Sequence, residues 1–90
     1  MFVFNNNFIQ LRATDHSKNI DRDYELHLDK GLFNSMIVLV GWGRHNTKGQ
    51  QKAYYFDSKK DALSFMNQKI KKRLSSRSRI GCEYKIIQQS

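Results

Sequence analysis

The sequence has little of what fixes the shape of many small domains. It contains one cysteine, Cys82, no proline and five glycines among 90 residues. A single thiol cannot form an internal disulfide or a cysteine-based metal site, so we expect a reducing, intracellular location. We interpret Cys82 as a small apolar residue that fills space in the core.

Long apolar runs are also missing. The longest covers residues 36–40, which is far too short to span a membrane, so no membrane association is expected. The first four residues, MFVF, lack a basic segment and are followed by asparagines, which argues against a signal peptide. Hydrophobic residues still make up 39% of the chain. That content is typical of one small folded domain, here taken as residues 1–90.

Positive charge is abundant and unevenly distributed. The net charge is +8; residues 1–40 hold four basic and five acidic residues, whereas residues 41–90 hold twelve basic and three acidic ones. A field of one sign over half of a domain attracts polyanions, and nucleic acid is the commonest such partner. Charge alone therefore predicts a DNA or RNA partner, with a solvated surface that binds nothing as the alternative.

Four segments are predicted to be β-strands, and the second and third alternate with the period of two residues that is typical of strands. The third is apolar on both faces, which favours a central position in a sheet. The polar segment 14–21 is expected to be a loop, residues 45–49 a turn, and Leu32 and Phe33 to be tucked into the connection before the third strand. The four predicted strands cover residues 8–13, 23–28, 36–42 and 51–56.

The period then changes to about 3.6 residues, which predicts one helix. Ser58 followed by Asp61 resembles a capping box at its start. The apolar stripe of the helix comprises Ala62, Leu63, Phe65, Met66, Ile70 and Leu74. A basic loop over residues 75–81 and a short strand over 83–87 are expected to follow. The fold class is therefore α+β, a small antiparallel sheet of about four to five strands packed by one helix in the C-terminal half.

No pattern of catalytic or metal-binding residues stands out. The histidines His16, His27 and His45 lack the spacing of a metal site, so no metal and no cofactor are expected. Asp23 and Glu25 share an exposed strand face with no basic catalytic partner in sight, which argues against carboxylate catalysis. An enzyme is therefore the least expected class of function.

The segment GWGRHNTKGQ at residues 41–50 carries the chain's one tryptophan. Trp42 ends the third strand, and alternation places Arg44 on the same face. An indole beside a guanidinium can stack on a nucleotide while the cation holds a phosphate. In the alternative, Trp42 belongs to the core and Arg44 is a cation at its rim. Alternation does not decide between the two.

This segment resembles the signature of the WGR domain, which is named after its Trp-Gly-Arg tripeptide. The tripeptide here is residues 42–44, and Thr-Lys-Gly-Gln follows at residues 47–50. The similarity covers about residues 8–87. Its further matches are Phe8, Leu11, Tyr24, Leu26, Leu28, Leu32, Phe33, Phe56, Ala62, Phe65, Gly81 and Tyr84.

The resemblance implies DNA binding. WGR domains occur in DNA-dependent poly(ADP-ribose) polymerases, where they bind DNA breaks, and in short bacterial proteins. In the polymerases the tryptophan packs on the sugar of the terminal nucleotide and the arginine contacts DNA, roles that fall here on Trp42 and Arg44. The resemblance also indicates Tyr84, with a spacing one residue longer, and Asn19 as DNA contacts. It implies no catalysis, and it indicates the bacterial cytoplasm for a stand-alone protein. We expect the chain to be a monomer in isolation.

The sequence departs from the family pattern at three positions. Asn34 and Asn46 replace glycines, and because asparagine tolerates the left-handed conformation, both turns are expected to survive. His45 replaces an apolar residue and is expected to exchange a core contact for a polar one near the DNA.

Several basic residues are predicted to contact phosphates without reading sequence. Lys48 and Lys52 rank ahead of the helix lysines because they lie in the hairpin that carries Trp42. Two other functions stay open: a sequence-independent RNA or polyanion binder, and a protein-interaction or regulatory module of a bacterial complex. The further predicted contacts are Arg73, Arg77 and Arg79, together with Lys69 and Lys72 of the helix.

Overall fold

An antiparallel β-sheet with one α-helix packed against it forms the fold in the computed structural model, which describes residues 6–75 and 81–90. This arrangement confirms the predicted α+β class. Arg77 and Arg79, and most of the basic loop predicted over 75–81, lie outside the described residues. The elements are β1 (Phe8–Asp15), a 3₁₀ turn (His16–Lys18), β2 (Ile20–Lys30), β3 (Met36–Arg44), β4 (Gln50–Phe56), α1 (Lys59–Leu74) and β5 (Tyr84–Gln89).

The strands lie in the order β4-β3-β2-β1-β5, and each neighbouring pair is antiparallel. β3 is an interior strand, as its two apolar faces predict, while β2 occupies the centre. Trp42 pairs with Tyr24 on β2 and with Gln50 on β4. Because side chains alternate along each strand, this register decides which residues share a face of the sheet.

The helix covers one face of the sheet, which we call the helix face. Ser58 caps its start as predicted, accepting a 3.1 Å hydrogen bond from the backbone N–H of Asp61 at its side-chain Oγ. Ala62, Met66 and Ile70 are fully buried. Each of the two larger side chains contributes about 1.5–3 kcal/mol by leaving water. They pack in one cluster with Ile9, Leu11, Ala13, Tyr24, Leu26, Leu28, Val38, Val40, Cys82 and Tyr84.

The opposite face, which we call the open face, has no helix or second sheet over it within the described residues. Ile37 and Leu39 of β3 point there and are only half-buried. One apolar face of β3 is therefore covered by α1, and the other is only partly buried. Tyr55 of β4, which pairs with Ile37, is 72% exposed.

The connection between β2 and β3 differs from the prediction. Leu32 is 79% exposed and Phe33 is 98% exposed, so the expectation that they are tucked in was wrong. The backbone N–H of Gly31 donates to Ser35 O at 2.9 Å, and the N–H of Ser35 donates to Leu32 O at 3.0 Å. This tight turn leaves both apolar side chains outside it. Asn34 has the predicted left-handed backbone, with φ 65°.

β5 pairs with β1 at the edge of the sheet. The backbone N–H groups of Asn7 and Phe8 both donate to Ser90 O at 2.9 Å, and the N–H of Ser90 donates to Phe8 O at 3.0 Å. Cys82, just before β5, is buried as expected for a small apolar filler. Among the described residues, no helix is both long and apolar enough to cross a membrane.

Candidate nucleic-acid interface

The hairpin between β3 and β4 brings two backbone segments unusually close. A Cβ on Gly43 would lie 2.6 Å from Gly49 Cα, and one on Gly49 would lie 2.5 Å from the carbonyl oxygen of Trp42. Only glycine fits at these two positions. In the turn, Arg44 O accepts hydrogen bonds from the N–H and the hydroxyl of Thr47, at 3.1 and 2.6 Å. Asn46 adopts the predicted left-handed conformation with φ 65°. The glycines and this turn hold Trp42 and Arg44 at the strand end.

Trp42 lies on the helix face with 37% of its surface exposed. Its cross-strand neighbour Tyr24 is almost completely buried, so the indole borders the core on that side. The two alternatives for Trp42 each describe part of what is seen. One part of the side chain adjoins the core, and the rest is available to a ligand.

Several basic residues lie on the helix face at register positions close to Trp42. Arg44 follows two residues along β3, and Arg22 pairs with Arg44 across to β2. Lys52 lies two residues from Gln50, the partner of Trp42 on β4. Diagonal neighbours in an antiparallel sheet are about 7–8 Å apart, within reach of long side chains. We call Trp42, Arg22, Arg44, Lys52 and Arg73 the Trp42 cluster.

Arg73 joins this cluster from the helix. Its guanidinium carbon lies 4.2 Å from the ring centroid of Tyr24 and 6.0 Å from that of Tyr84. Such cation–π contacts hold an arginine in place while its N–H groups stay available. Burial raises the pKa of Tyr24, and the nearby Arg73 charge offsets part of that effect.

Arg44 is held by Asn19. One terminal guanidinium nitrogen donates to Asn19 O at 3.2 Å, and the other donates to Asn19 Oδ1 at 2.9 Å. Asn19 itself has a left-handed backbone, with φ 56°, at the end of the 3₁₀ turn. The structure therefore brings these two predicted site residues together, with Asn19 oriented to position Arg44.

The other predicted residues are placed differently. Lys48 is exposed in the turn and lines a shallow groove of about 430 Å³ on the open-face side, beside Gly41 and Glu25. Tyr84 is only 8% exposed, and its ring packs edge-on to Tyr24 at 6.4 Å between centroids. Little of the Tyr84 surface is left for a ligand, and its ring faces the guanidinium of Arg73. Lys69 lies over Phe65 and Tyr54 at the helix face.

Asp23 has two basic partners on the open face, which the sequence pattern did not indicate. Arg12 Nε donates to one carboxylate oxygen at 2.7 Å, and His45 Nδ1 lies 2.7 Å from the other. Burial alone would raise the pKa of Asp23, but the hydrogen bonds from Arg12 and His45 outweigh it and leave that pKa below its ordinary value of 3.8. His45 thus makes a polar contact within the domain, and its backbone N–H donates to Asp21 O at 2.8 Å.

Arg22 is the member of the Trp42 cluster that sequence reasoning missed. Tyr24, Leu26 and Leu28 were placed on one face by alternation, and the same alternation continued backwards puts Arg22 there too. The predicted strand began at residue 23, whereas β2 begins at Ile20. Among the described residues, no group of three or more histidine, cysteine, aspartate or glutamate side chains could hold a metal ion.

The chain is similar to known proteins over a stretch that includes this strand end. The sequence model of the WGR domain family matches residues 8–79. An uncharacterized protein, y4dW, of Sinorhizobium fredii (strain NBRC 101917 / NGR234) is 36% identical over 68 residues, which cover 71% of this chain and 33% of that protein. The chain thus spans about a third of the length of that relative. The WGR domain is known as a nucleic-acid-binding module in poly(ADP-ribose) polymerase-like proteins. With its Trp42-Gly43-Arg44 tripeptide at the end of β3, the chain belongs to the WGR domain family.

Proposed function

We propose that this chain is a nucleic-acid-binding module that binds DNA and prefers ends, nicks or breaks. The observation that carries the proposal is the partly exposed indole of Trp42 with basic side chains on the strands beside it. A duplex without breaks offers no terminal nucleotide on which an indole can stack. Stacking of this kind contributes about 1–3 kcal/mol per base, and it gives a preference for structure without a preference for sequence.

The cations of the Trp42 cluster supply the affinity. Arg22, Arg44 and Lys52 lie on the same face as Trp42, where they can reach phosphates on either side of a nucleotide stacked on it. Phosphate contacts hold the nucleic acid without reading its sequence. Lys48 reaches the backbone from the turn, and Asn19 acts by orienting Arg44. Arg77 and Arg79 remain predicted phosphate contacts.

The module acts by binding and has no catalytic step of its own in this proposal. We place it inside the cell and expect a monomer, which carries one Trp42 cluster to each DNA end. RNA enters the test below as a competitor, because a stacking platform with cations around it can also hold a flexible single strand.

The proposal is tested by fluorescence-anisotropy titration of three labelled duplexes: nicked, blunt-ended, and closed by hairpins at both ends. Wild type is compared with Trp42→Ala at several salt concentrations. The nicked and blunt duplexes are expected to bind more tightly than the closed one. Trp42→Ala should remove that preference, a loss of about 5-fold to 150-fold for 1–3 kcal/mol, and should keep the salt dependence.

Tyr55→Ala is the matched control, because it removes an aromatic ring that is 72% exposed on the open face. It should leave all three affinities unchanged. Equal binding of the three duplexes, with no effect of Trp42→Ala, would contradict end recognition. Equal competition by single-stranded RNA would instead indicate a general polyanion binder, and no binding above low salt would remove nucleic acid as the ligand.

A further inference from the structure

The turn between β2 and β3 displays two large apolar side chains that the fold does not use. Phe33 is 98% exposed and Leu32 is 79% exposed. Phe33 also has a left-handed backbone, with φ 53°, a conformation that is unfavourable for a bulky aromatic residue. Glycine would form this turn more easily. An aromatic residue that is both disfavoured locally and unused in packing points to a contact outside the domain.

This turn is continuous with apolar side chains of the open face. A Cβ on Gly31 would lie 3.3 Å from Ile37 Cγ1, so the turn adjoins the side chain of Ile37. Ile37 pairs with Tyr55, and Leu39 is the next residue of β3 on the same face. We call Leu32, Phe33, Ile37, Leu39 and Tyr55 the distal apolar surface. Met36 and Trp42, at the two ends of β3, are roughly 20 Å apart at about 3.4 Å per residue.

Carboxylates border the distal apolar surface. Asp29 pairs with Ile37, and Glu25 pairs with Gly41, one step beyond Leu39 on the same face. Asp23 and Asp21 continue the row along the open side of β2. Within the described residues Glu25 has no hydrogen-bond or ion-pair partner, and it lines the shallow groove above Gly41. Asp29 and Glu25 therefore make the border of the distal apolar surface acidic in a protein whose net charge is +8. The basic residues Arg12 and Lys85 of this face lie on β1 and β5, and Arg12 is paired with Asp23.

We propose that the distal apolar surface and the β2 carboxylates form a docking site for a segment of a partner protein that carries apolar residues next to arginine or lysine. The apolar residues of that segment pack on Phe33, Ile37 and Tyr55, and its cations face Asp29 and Glu25. Asp29 and Glu25 repel phosphates, so the distal apolar surface does not suit nucleic acid. Because Trp42 lies on the other face and at the other end of β3, the segment and DNA can bind at the same time.

The experiment uses two short labelled peptides with the same alternating isoleucine frame, one with arginine and one with glutamate at the remaining positions. Each is titrated into the whole chain, and the bound site is mapped from backbone amide NMR shifts. The arginine peptide is expected to bind and to shift the amides of residues 32–39, 53–55 and 25. Attraction by net charge alone predicts the opposite order, because a protein of +8 favours the glutamate peptide.

Phe33→Gly tests the turn without endangering the fold, since glycine accepts the left-handed backbone of this position. Phe33→Gly and Tyr55→Ser should each lower the affinity for the arginine peptide about tenfold, which is the size expected for an apolar anchor of an interface. Ile87→Ser removes a different exposed side chain, on β5, and should change nothing. Trp42→Ala should also leave peptide binding intact. A failure of the docking proposal can therefore be distinguished from a failure of the DNA-binding proposal.

Three results would overturn the proposal. The glutamate peptide could bind at least as tightly, the shifts could map to the Trp42 cluster, or Phe33→Gly could leave the affinity unchanged. Sedimentation of the chain alone identifies a different occupant. A dimer that Phe33→Gly dissociates would assign the distal apolar surface to a second copy of this chain and would refute the partner segment.

Discussion

The two faces of the sheet are built from the same strands, but they differ in charge and in what covers them. Along β2, Arg22, Tyr24 and Leu26 point to the helix face, while Asp21 and Asp23 point to the open face. One face is covered by α1 and basic at the Trp42 end. The other carries carboxylates and exposed apolar groups. Residues 1–40 are nearly neutral in sum. Along β2, however, the acidic side chains of Asp21 and Asp23 lie on one face and the basic side chain of Arg22 lies on the other.

The difference shows which features of the sequence the fold itself requires. Burial on the helix face accounts for the alternating apolar residues of β1, β2 and β3. It does not account for Tyr55, which is 72% exposed, or for the exposed parts of Ile37 and Leu39. Packing does not explain their presence on the uncovered face or that of the cations near Trp42 on the other, and our two proposals assign both groups to ligands.

The largest expected effect is on the free energy of unfolding, and it distinguishes the helix face from the open face. Met66→Ala, on the fully buried side of α1, should lower the free energy of unfolding by about 2–5 kcal/mol. Tyr55→Ala, on the open face, should change it by less than about 0.5 kcal/mol. Urea denaturation with an unchanged m-value measures both. A loss for Tyr55→Ala as large as that for Met66→Ala would mean that the open face is covered in the folded protein.

A smaller effect is expected on the salt dependence of DNA binding, and it distinguishes the basic residues of the two faces. Arg22→Gln and Lys52→Gln should each reduce the slope of log K against log salt for duplex DNA by about 0.9, the value for one phosphate contact. Lys85 pairs with Arg12 on the open face, so Lys85→Gln is the matched control and should leave the slope unchanged. Equal slopes for all three variants would show that binding depends on net charge and not on the Trp42 cluster.

The smallest effect concerns the contacts of Asp23 with Arg12 and His45, which lie on the open face near the tripeptide. The pKa of Asp23 in the folded protein lies below its ordinary value of 3.8 because Arg12 and His45 bind the carboxylate. As pH falls, the unfolded chain therefore takes up this proton first. The stabilisation is present above 3.8 and is lost as the pH falls through the folded-state pKa.

Asp23→Asn should thus be less stable than wild type near neutral pH and should lose less stability on acidification. Urea titrations at a series of pH values measure this, with Tyr55→Ala as a variant that keeps the wild-type pH dependence. Parallel pH profiles for wild type and Asp23→Asn would show that the Arg12 and His45 contacts do not persist in solution.

Much of the fold follows from patterns that are local in sequence. The alternation of Tyr24, Leu26 and Leu28 and the stripe through Met66 and Ile70 each reflect one element that buries one face. The start of the helix at Ser58 follows equally from local hydrogen bonding. These features were predicted correctly because each depends on residues within a few positions of one another.

What escaped prediction depends on turn geometry and on register. Leu32 and Phe33 are apolar, and apolar residues are usually buried; only the dihedral angles of the turn show that they point outwards. The contact of Asp23 with Arg12 requires the β1–β2 register, which depends on how the 3₁₀ turn uses the residues between them. The prediction that Trp42 is a binding residue depends on its exposed fraction, which alternation cannot supply.

The hydrogen bonds that join Asn7 and Phe8 to Ser90 have a mechanical consequence. They place the first and last described parts of the chain side by side at one corner of the sheet. Tension applied between these two points acts across β1 and β5, and it opens the hydrogen bonds of that pair one after another from the corner. The domain should therefore yield to a small pulling force by losing β5 first, while the β2–β3–β4 portion that carries Trp42 keeps its hydrogen bonds.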